Sequence, residues 1–202
     1  MKNEQYFDET PTSKDDETTF KCELAGINYQ FYSNNGVFSK KYVDFGTRTL
    51  IDTVDKLNLA PNSVLDLGTG YGPIALFAAT NYPQAEVTAS EVNERAIGLA
   101  KKNFSTNGQD RINLVKSDLF TEITDNFDLI LTNPPIRAGK SVINQLIEDS
   151  FKHLQPSGQL ILVVQRKQGE PTIKEKMAEV FGNCEILKRN KGYYILRSQH
   201  AG

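Results

Sequence analysis

From Ser63 onward, short and nearly continuous apolar runs alternate with longer stretches in which apolar residues recur at helical spacing. The runs Val64–Leu67, Glu86–Ser90, Ile112–Lys116, Phe127–Thr132, Gln159–Val164, Cys184–Lys188 and Tyr193–Arg197 read as strands. Helices fit residues 73–80, 93–106, 141–154 and 171–181, with Asn93 and Ser141 as capping residues at two of the starts. Strict alternation of strand and helix predicts an α/β fold, a doubly wound, Rossmann-like sheet with helices on both faces. Only Asn190-Lys191-Gly192 separates the last two strands, too little chain for a crossover, so they are expected to pair antiparallel as a C-terminal hairpin.

Upstream the period falls to two. Thr19–Leu24 and Ile27–Tyr32 alternate apolar with polar around Ala25-Gly26 and predict a small N-terminal β-hairpin. A helix starting near Thr47 would bury Leu50, Ile51, Val54 and Leu57 on one face. Residues 1–18 lack periodicity and are expected to form a flexible acidic N-terminus. Residues 19–202 are expected to form one domain, with the hairpin at 19–35, a lead-in loop and helix at 36–62 and the main sheet at 63–199.

Composition narrows the class without naming a chemistry. Hydrophobic residues make up 39% and charged residues 24%, ordinary for a soluble globular protein. The longest apolar runs, such as Leu160–Val164, are far too short to span a bilayer, and Met1-Lys2-Asn3-Glu4-Gln5 has no signal-peptide core. Cytoplasmic localisation and no membrane contact are therefore expected. Cys22 and Cys184 are isolated thiols without metal spacing and read as reduced and structural; no metal is expected, and His153 and His200 carry no motif. Net charge is −2, but residues 1–20 hold Glu4, Asp8, Glu9, Asp15, Asp16 and Glu17 against only Lys2 and Lys14. The remainder is slightly basic, with pairs at Lys40-Lys41, Arg166-Lys167 and Lys188-Arg189, which allows a modest basic face rather than a broad positive field.

Chemistry concentrates at strand ends. Val64-Leu65-Asp66-Leu67-Gly68-Thr69-Gly70-Tyr71-Gly72-Pro73 is a strand, a glycine turn and a helix start. The dinucleotide pattern G-x-G-x-x-G would need glycine at position 73, where proline stands, and Asp66 would oppose a pyrophosphate. A cation suits the carboxylate better, and the sulfonium and amino group of S-adenosylmethionine are natural partners. Glu91 ends the second strand, where an acid can accept both hydroxyls of a ribose, and Asp118, followed by Leu119, supplies a third strand-end carboxylate for an adenine amino group.

The fourth strand ends in Asn133-Pro134-Pro135-Ile136. Neither proline can donate to a ladder, so the strand stops and the Asn133 carboxamide and Pro134 carbonyl face outward as two neutral acceptors. Alone the tetrapeptide is an ordinary turn. Beside the glycine turn, two fixed acceptors suit a substrate bearing an NH₂ group.

With these motifs the chain resembles the class I S-adenosylmethionine-dependent methyltransferases, specifically the methyltransferase small group typified by ribosomal RNA small-subunit guanine-N2 enzymes. The resemblance runs from about Phe20 to Arg197 and rests on Gly36-Val37-Phe38-Ser39, Val43-Asp44-Phe45-Gly46-Thr47, Val64–Gly72, Asn133-Pro134-Pro135, Gly139-Lys140 and Lys191-Gly192-Tyr193-Tyr194. It implies a seven-stranded methyltransferase sheet and S-adenosyl-L-methionine as cofactor. Asp66, Gly68 and Gly70 would hold the methionine part, Glu91 the ribose, and Asp118 with Leu119 the adenine. Asn133 and Pro134 would hold the target amine. Phe38 and Asp44 to Thr47 would wall the cofactor and target pocket, with Pro135, Ile136, Arg137 and Lys140 on the substrate side.

Thr69 stands where the family often has cysteine. Ile136 stands where adenine- and glutamine-directed relatives usually have an aromatic residue, which points toward guanine. Some members of the group carry two such domains in tandem, and one is legible here. The implied activity is methyl transfer to N2 of a guanine in 16S ribosomal RNA by a monomer or weak dimer, with ribosomal RNA or the small subunit as partner. Methylation of a protein glutamine, or a cofactor-binding role in ribosome assembly with little turnover, are the alternatives that the residues leave open.

Overall fold

The computed structural model describes residues 16–34 and 42–201. The chain runs β1 (Thr18–Leu24), β2 (Ile27–Ser33), α1 (Phe45–Asp55), β3 (Ser63–Leu67), α2 (Pro73–Asn81), β4 (Glu86–Glu91), α3 (Glu94–Thr106), β5 (Asn113–Lys116), β6 (Phe127–Thr132), α4 (Lys140–Lys152), β7 (Leu154–Gln165), α5 (Glu170–Phe181), β8 (Glu185–Asn190) and β9 (Tyr193–Gln199). Single turns of 3-10 helix at Ile136–Ala138 and Arg166–Gln168 lead into α4 and α5.

Seven strands form one sheet in the order β5-β4-β3-β6-β7-β9-β8, while β1 and β2 pair by themselves. The neighbours from β5 to β7 are parallel, and β9 is antiparallel to both β7 and β8. Burial accounts for β9 lying inside its own hairpin partner. Ile195 and Leu196 are fully buried, one on each face, whereas β8 exposes Glu185, Lys188 and Arg189. A charged strand belongs at an edge and an apolar one between neighbours. Lys191 and Gly192 both take positive φ (46° and 82°), the two-residue turn whose twist suits tightly paired strands.

Side-chain alternation along the strands divides the interior into two layers. Val64, Leu129, Leu131, Ile161, Val163 and Ile195 pack under α1, α2, α3 and the hairpin; Leu65, Leu67, Ile130, Leu160, Leu162 and Leu196 pack under α4 and α5. Helix α2 is buried at every residue from Pro73 to Ala79, because α1 and the sheet cover it from both sides. Two sequence expectations change. Strand–helix alternation breaks between β5 and β6, where Ser117–Asn126 forms turns instead of a helix. Ser141 is not a cap: α4 starts at Lys140 behind Gly139, whose φ of 108° and ψ of 165° let the helix follow the 3-10 turn directly. The expected flexible segment falls, through residue 15, outside the described residues.

The N-terminal hairpin is tied to the sheet by an unusual edge. Asn103 on α3 and Asn107, the C-cap one turn later, present their carboxamides to β2 as a neighbouring strand would. Asn103 accepts from Tyr32 N–H (2.7 Å) and donates to Tyr32 C=O (2.9 Å), and Asn107 repeats the pattern on Gln30 at 3.1 and 2.8 Å. Asn103 Nδ2 also donates to Tyr71 C=O at 2.8 Å, in the turn after β3. Phe31 and Phe20 press edge-on against the Tyr71 ring at 5.6 and 6.2 Å. The hairpin thus braces the turn that follows β3.

Truncating Asn103 leaves three backbone groups without their partner, the buried Tyr71 C=O and the part-buried N–H and C=O of Tyr32, each worth roughly 1–3 kcal/mol when left unpaired. Asn103→Ala is expected to lower the unfolding free energy by about 2–4 kcal/mol in urea titrations, against about 1 kcal/mol for the more accessible Asn107→Ala. Equal, negligible losses would mean that β2 is solvated and not held by these amides.

Candidate active site

In an open parallel sheet the crevice lies beyond the carboxyl ends of the strands, where connections leave in opposite directions. Here that point falls between β3 and β6, and both strands end in the singled-out motifs. The turn after β3 is set by Gly68 and Gly70 at φ 73° and 58°, with Thr69 N–H donating to Ser90 C=O at 2.8 Å. A Cβ at either glycine would meet no atom within 4 Å, so the backbone borders open space. Gly72 differs: a Cβ there would lie 2.4 Å from the Phe104 ring, and its absence lets α2 pack on α3.

Above the turn is a cavity of about 360 Å³. It is bordered by Gly68–Tyr71, Ser90–Val92, Ser117–Leu119, Asp44, Thr47, Asn133 and Pro135, and closed by Ala138, Val142 and Leu146. Asp44, Glu91 and Asp118 face it, and no lysine or arginine does among the described residues. Such a wall repels a pyrophosphate and attracts a cation. Among the described residues no cluster of histidine, cysteine or acids can hold a metal.

The acids are not equivalent. Glu91 bridges two segments, accepting from Gly70 N–H (2.8 Å) through one oxygen and from Val92 and Asn93 N–H (2.9 and 3.0 Å) through the other. Burial pushes its carboxyl up, and those three donors work in the opposite direction. Asp66 is fully buried beneath the turn and does not border the cavity, contrary to the expectation of direct contact. Its Oδ2 accepts from Thr69 Oγ1 (2.5 Å) and Ala75 N–H (2.9 Å), binding the turn to the first turn of α2. Its Oδ1 is buried without a partner among the described residues, as is Ser90 Oγ. Burial pushes Asp66 up to about 7, with the Thr69 and Ala75 hydrogen bonds pulling down and Glu91 adding to the rise.

A second cavity of about 350 Å³ lies on the other side of Asn133 and takes in Pro134, Ile136, Arg137, Val163–Gln165, Gln168 and Tyr193. Asp44 and Asn133 border both cavities. Asp44 caps α1, accepting from Thr47 N–H at 3.0 Å through Oδ1. Asn133 Nδ2 donates to Thr47 Oγ1 (3.0 Å) and to that same Asp44 oxygen (3.4 Å). An oxygen already accepting a backbone N–H requires the NH₂ side of the amide, so Asn133 Oδ1 is turned away from α1. Among the described residues nothing donates to it. Burial raises the Asp44 carboxyl, while hydrogen bonds from Thr47, Gly46 and Asn133 oppose the rise.

Pro134 departs from its expected state as a free acceptor. Its carbonyl accepts from Ile136 N–H at 2.9 Å, closing a tight three-residue turn around Pro135 (φ −76°, ψ 76°). One carbonyl lone pair remains. Of the other expected residues, Gly68, Gly70, Glu91, Asp118, Leu119, Thr47 and Pro135 border the first cavity, and Ile136 and Arg137 the second. Lys140 is exposed at the start of α4 and borders neither. Phe38 lies outside the described residues. In the second cavity, Gln165, Gln168 and Tyr193 are polar lining residues to which the sequence reading gave no role. Only Tyr193 carried a sequence signal, in the Lys191-Gly192-Tyr193-Tyr194 segment.

A family model described as methyltransferase small domain matches residues 28–197. The chain is 41% identical over 199 residues to the Bacillus subtilis protein YbxB, covering 98% of each. It is 36% identical over 172 residues to ribosomal RNA small subunit methyltransferase C of Haemophilus influenzae strain Rd, covering 83% of this chain and 50% of that protein. The 16S rRNA N2 G1207 methyltransferase of Thermus thermophilus, solved with AdoMet and guanosine, superposes with a TM-score of 0.82 at 26% identity, over 94% of this chain and 52% of that one. The chain therefore spans about half the length of these two rRNA methyltransferases and nearly all of the B. subtilis protein. With its seven-stranded sheet, β9 inserted antiparallel, and a match over most of its length, the chain belongs to the methyltransferase small-domain family.

Proposed function

We propose that this chain transfers a methyl group from S-adenosyl-L-methionine to an exocyclic amine, most specifically N2 of a guanine in small-subunit ribosomal RNA. The observation that carries the reading is Asn133, shared by two cavities and held by its NH₂ group, with no donor to its carbonyl oxygen among the described residues. Support for guanine comes from the T. thermophilus relative, whose substrate is an N2 amine and whose structure contains guanosine.

The first cavity fits the cofactor on its own chemistry. Its acidic border, the open backbone at Gly68 and Gly70, and the unpartnered Asp66 Oδ1 suit a cationic ligand approaching the turn. Gly68 and Gly70 would hold the methionine part, Glu91 the ribose hydroxyls, and Asp118 with Leu119 the adenine. Asp66 acts from beneath by fixing the turn and by its charge. When bound, the cofactor supplies an electrophilic methyl group on sulfur.

The amine of a guanine is a weak nucleophile because its lone pair is delocalised into the ring. Asn133 Oδ1 and the remaining lone pair of the Pro134 carbonyl accept its two N–H groups and turn the nitrogen toward the first cavity. Both acceptors also stabilise the positive charge that grows on nitrogen as the bond forms. The alkylated nitrogen is acidic and loses its proton to water, so no strong base is required. Asp44 and Thr47 are positioning residues: they hold the Asn133 amide in the orientation that leaves Oδ1 free.

The test is transfer of isotopic methyl onto small subunits, naked ribosomal RNA and total protein, with nucleoside mass spectrometry of the labelled fraction. N2-methylguanosine is expected; label confined to protein would overturn the reading. Asn133→Ala is expected to lower kcat about 10²–10³-fold while S-adenosylhomocysteine affinity changes less than about threefold, measured by calorimetry. Equal loss of both would reassign Asn133 to the cofactor.

Asp66 sets a pH dependence. Its folded value of about 7 exceeds the ordinary 3.8, so between these pH values the native state binds the extra proton. The contribution is fully present below about pH 4 and is lost as pH rises through 7. Unfolding midpoints of the ligand-free protein are expected to fall across that window, and Asp66→Asn is expected to flatten the decline. An identical slope in the variant would show that this carboxyl does not titrate there.

A further inference from the structure

Ile136 borders the second cavity from the loop after β6, and an isoleucine cannot present a π face. The second cavity nevertheless contains an aromatic ring from a distant part of the chain. Tyr193, the first residue of β9, borders it together with Asn133, Pro134 and Ile136, and is the one aromatic residue among its described lining residues. We propose that Tyr193, at the β8–β9 hairpin, is the platform on which the flat target base rests. The proposal rests on the methyl-transfer reading above and names the residue by which that site would hold its substrate.

The ring's position is built in. Its edge lies over Gly46, where a Cβ would come within 2.9 Å of Tyr193 Cε1 and 3.1 Å of Cδ1. Only a residue without a side chain allows that approach. The neighbouring Phe45 ring packs against Tyr193 with centroids 5.5 Å apart and planes tilted by 55°. Lys191 Nζ sits 5.3 Å from the Phe45 centroid, tying the hairpin turn to the start of α1. On the strand side, Tyr193 pairs with Gln165 of β7 and Asn190 of β8.

The same short segment thus serves two purposes. Asp44 and Thr47 orient the Asn133 amide, while Phe45 and Gly46 between them seat the ring. Amide and ring are held in register by one helix start. A base resting on the ring with its exocyclic amine on Asn133 would be fixed in plane and in direction, the two conditions for an in-line attack. Base–aromatic stacking is tolerant of sequence, so the ring supplies affinity and orientation while the two acceptors select the amine.

The chain contains no tryptophan, which makes the contact directly observable. Tyr193→Trp places a single indole in the cavity, and saturable quenching of its fluorescence by guanosine 5′-monophosphate, in the presence of S-adenosylhomocysteine, is expected. For methyl transfer to small-subunit RNA, Tyr193→Leu is expected to lower kcat/KM by about tenfold or more, chiefly through KM. Tyr193→Phe, which keeps the ring, is expected to stay within about threefold of the native chain. Cofactor affinity measured on each variant reports that the fold and first cavity are intact.

Quenching in Tyr193→Trp supports the proposal even where the native chain transfers no methyl to RNA; that outcome would overturn the reaction and leave the base site standing. Normal RNA methylation by Tyr193→Leu, together with an indole that does not respond to the nucleotide, would overturn the proposal and leave the reaction standing.

Discussion

Everything that the site can do depends on which way one amide points. Asn133 closes a strand whose ladder is ended by two prolines, and nothing within β6 decides the orientation of its side chain. The decision comes from α1, where an oxygen of Asp44 already accepts the Thr47 N–H and so can only receive the NH₂ side of Asn133. The helix cap therefore does a second job. It satisfies an orphan donor of α1 and holds the NH₂ side of a carboxamide that borders both cavities.

Around the first cavity the structure places acids rather than bases, and Asp66 and Glu91 are buried. Desolvation raises Asp44, Asp66 and Glu91 together, so the ligand-free crevice holds carboxyl groups that favour a positive guest. The hydrogen bonds that partly restrain these rises come mostly from backbone N–H groups and from Thr69, Thr47 and Asn133, which are the parts that must be held still. Charge and rigidity are thus supplied by the same contacts. The hairpin contributes from behind: Asn103 links β2 to Tyr71, and Phe20 and Phe31 press on that ring, so the glycine turn is backed by packed side chains.

The parts of this architecture that follow from local physics were legible in the chain. Apolar runs broken by helical periodicity give most strands and helices within a residue or two, although β7 begins at Leu154, five residues before the expected Gln159. The glycine turn and the Asn133-Pro134-Pro135 end announce themselves because their backbone requirements are severe. What depends on distant neighbours was not legible. The insertion of β9 between β7 and β8 follows from burial of Ile195 and Leu196, which only the assembled sheet reveals. Asn103 and Asn107 read as ordinary polar helix positions, yet they serve as a strand edge. Asp66 belonged to the right motif, but its side chain points beneath the turn instead of into the cavity. Ser141 has the chemistry of a cap and lost the position to Gly139, because the preceding 3-10 turn needed a backbone that only glycine adopts readily. Tyr193 was visible as a residue of a family segment, but the two cavities that meet at Asn133 had no counterpart in the one-dimensional pattern.

The proposed reaction requires the amine on Asn133 Oδ1 in one cavity and the sulfur of the cofactor in the other. A crystal structure of the chain with S-adenosylhomocysteine and guanosine checks both positions. The sulfur is expected on the glycine-turn side and the exocyclic amine of guanosine within hydrogen-bond distance of Asn133 Oδ1, with Nδ2 still on Thr47 and Asp44. A nucleoside bound elsewhere, or a carboxamide turned so that its NH₂ faces the second cavity, would contradict it.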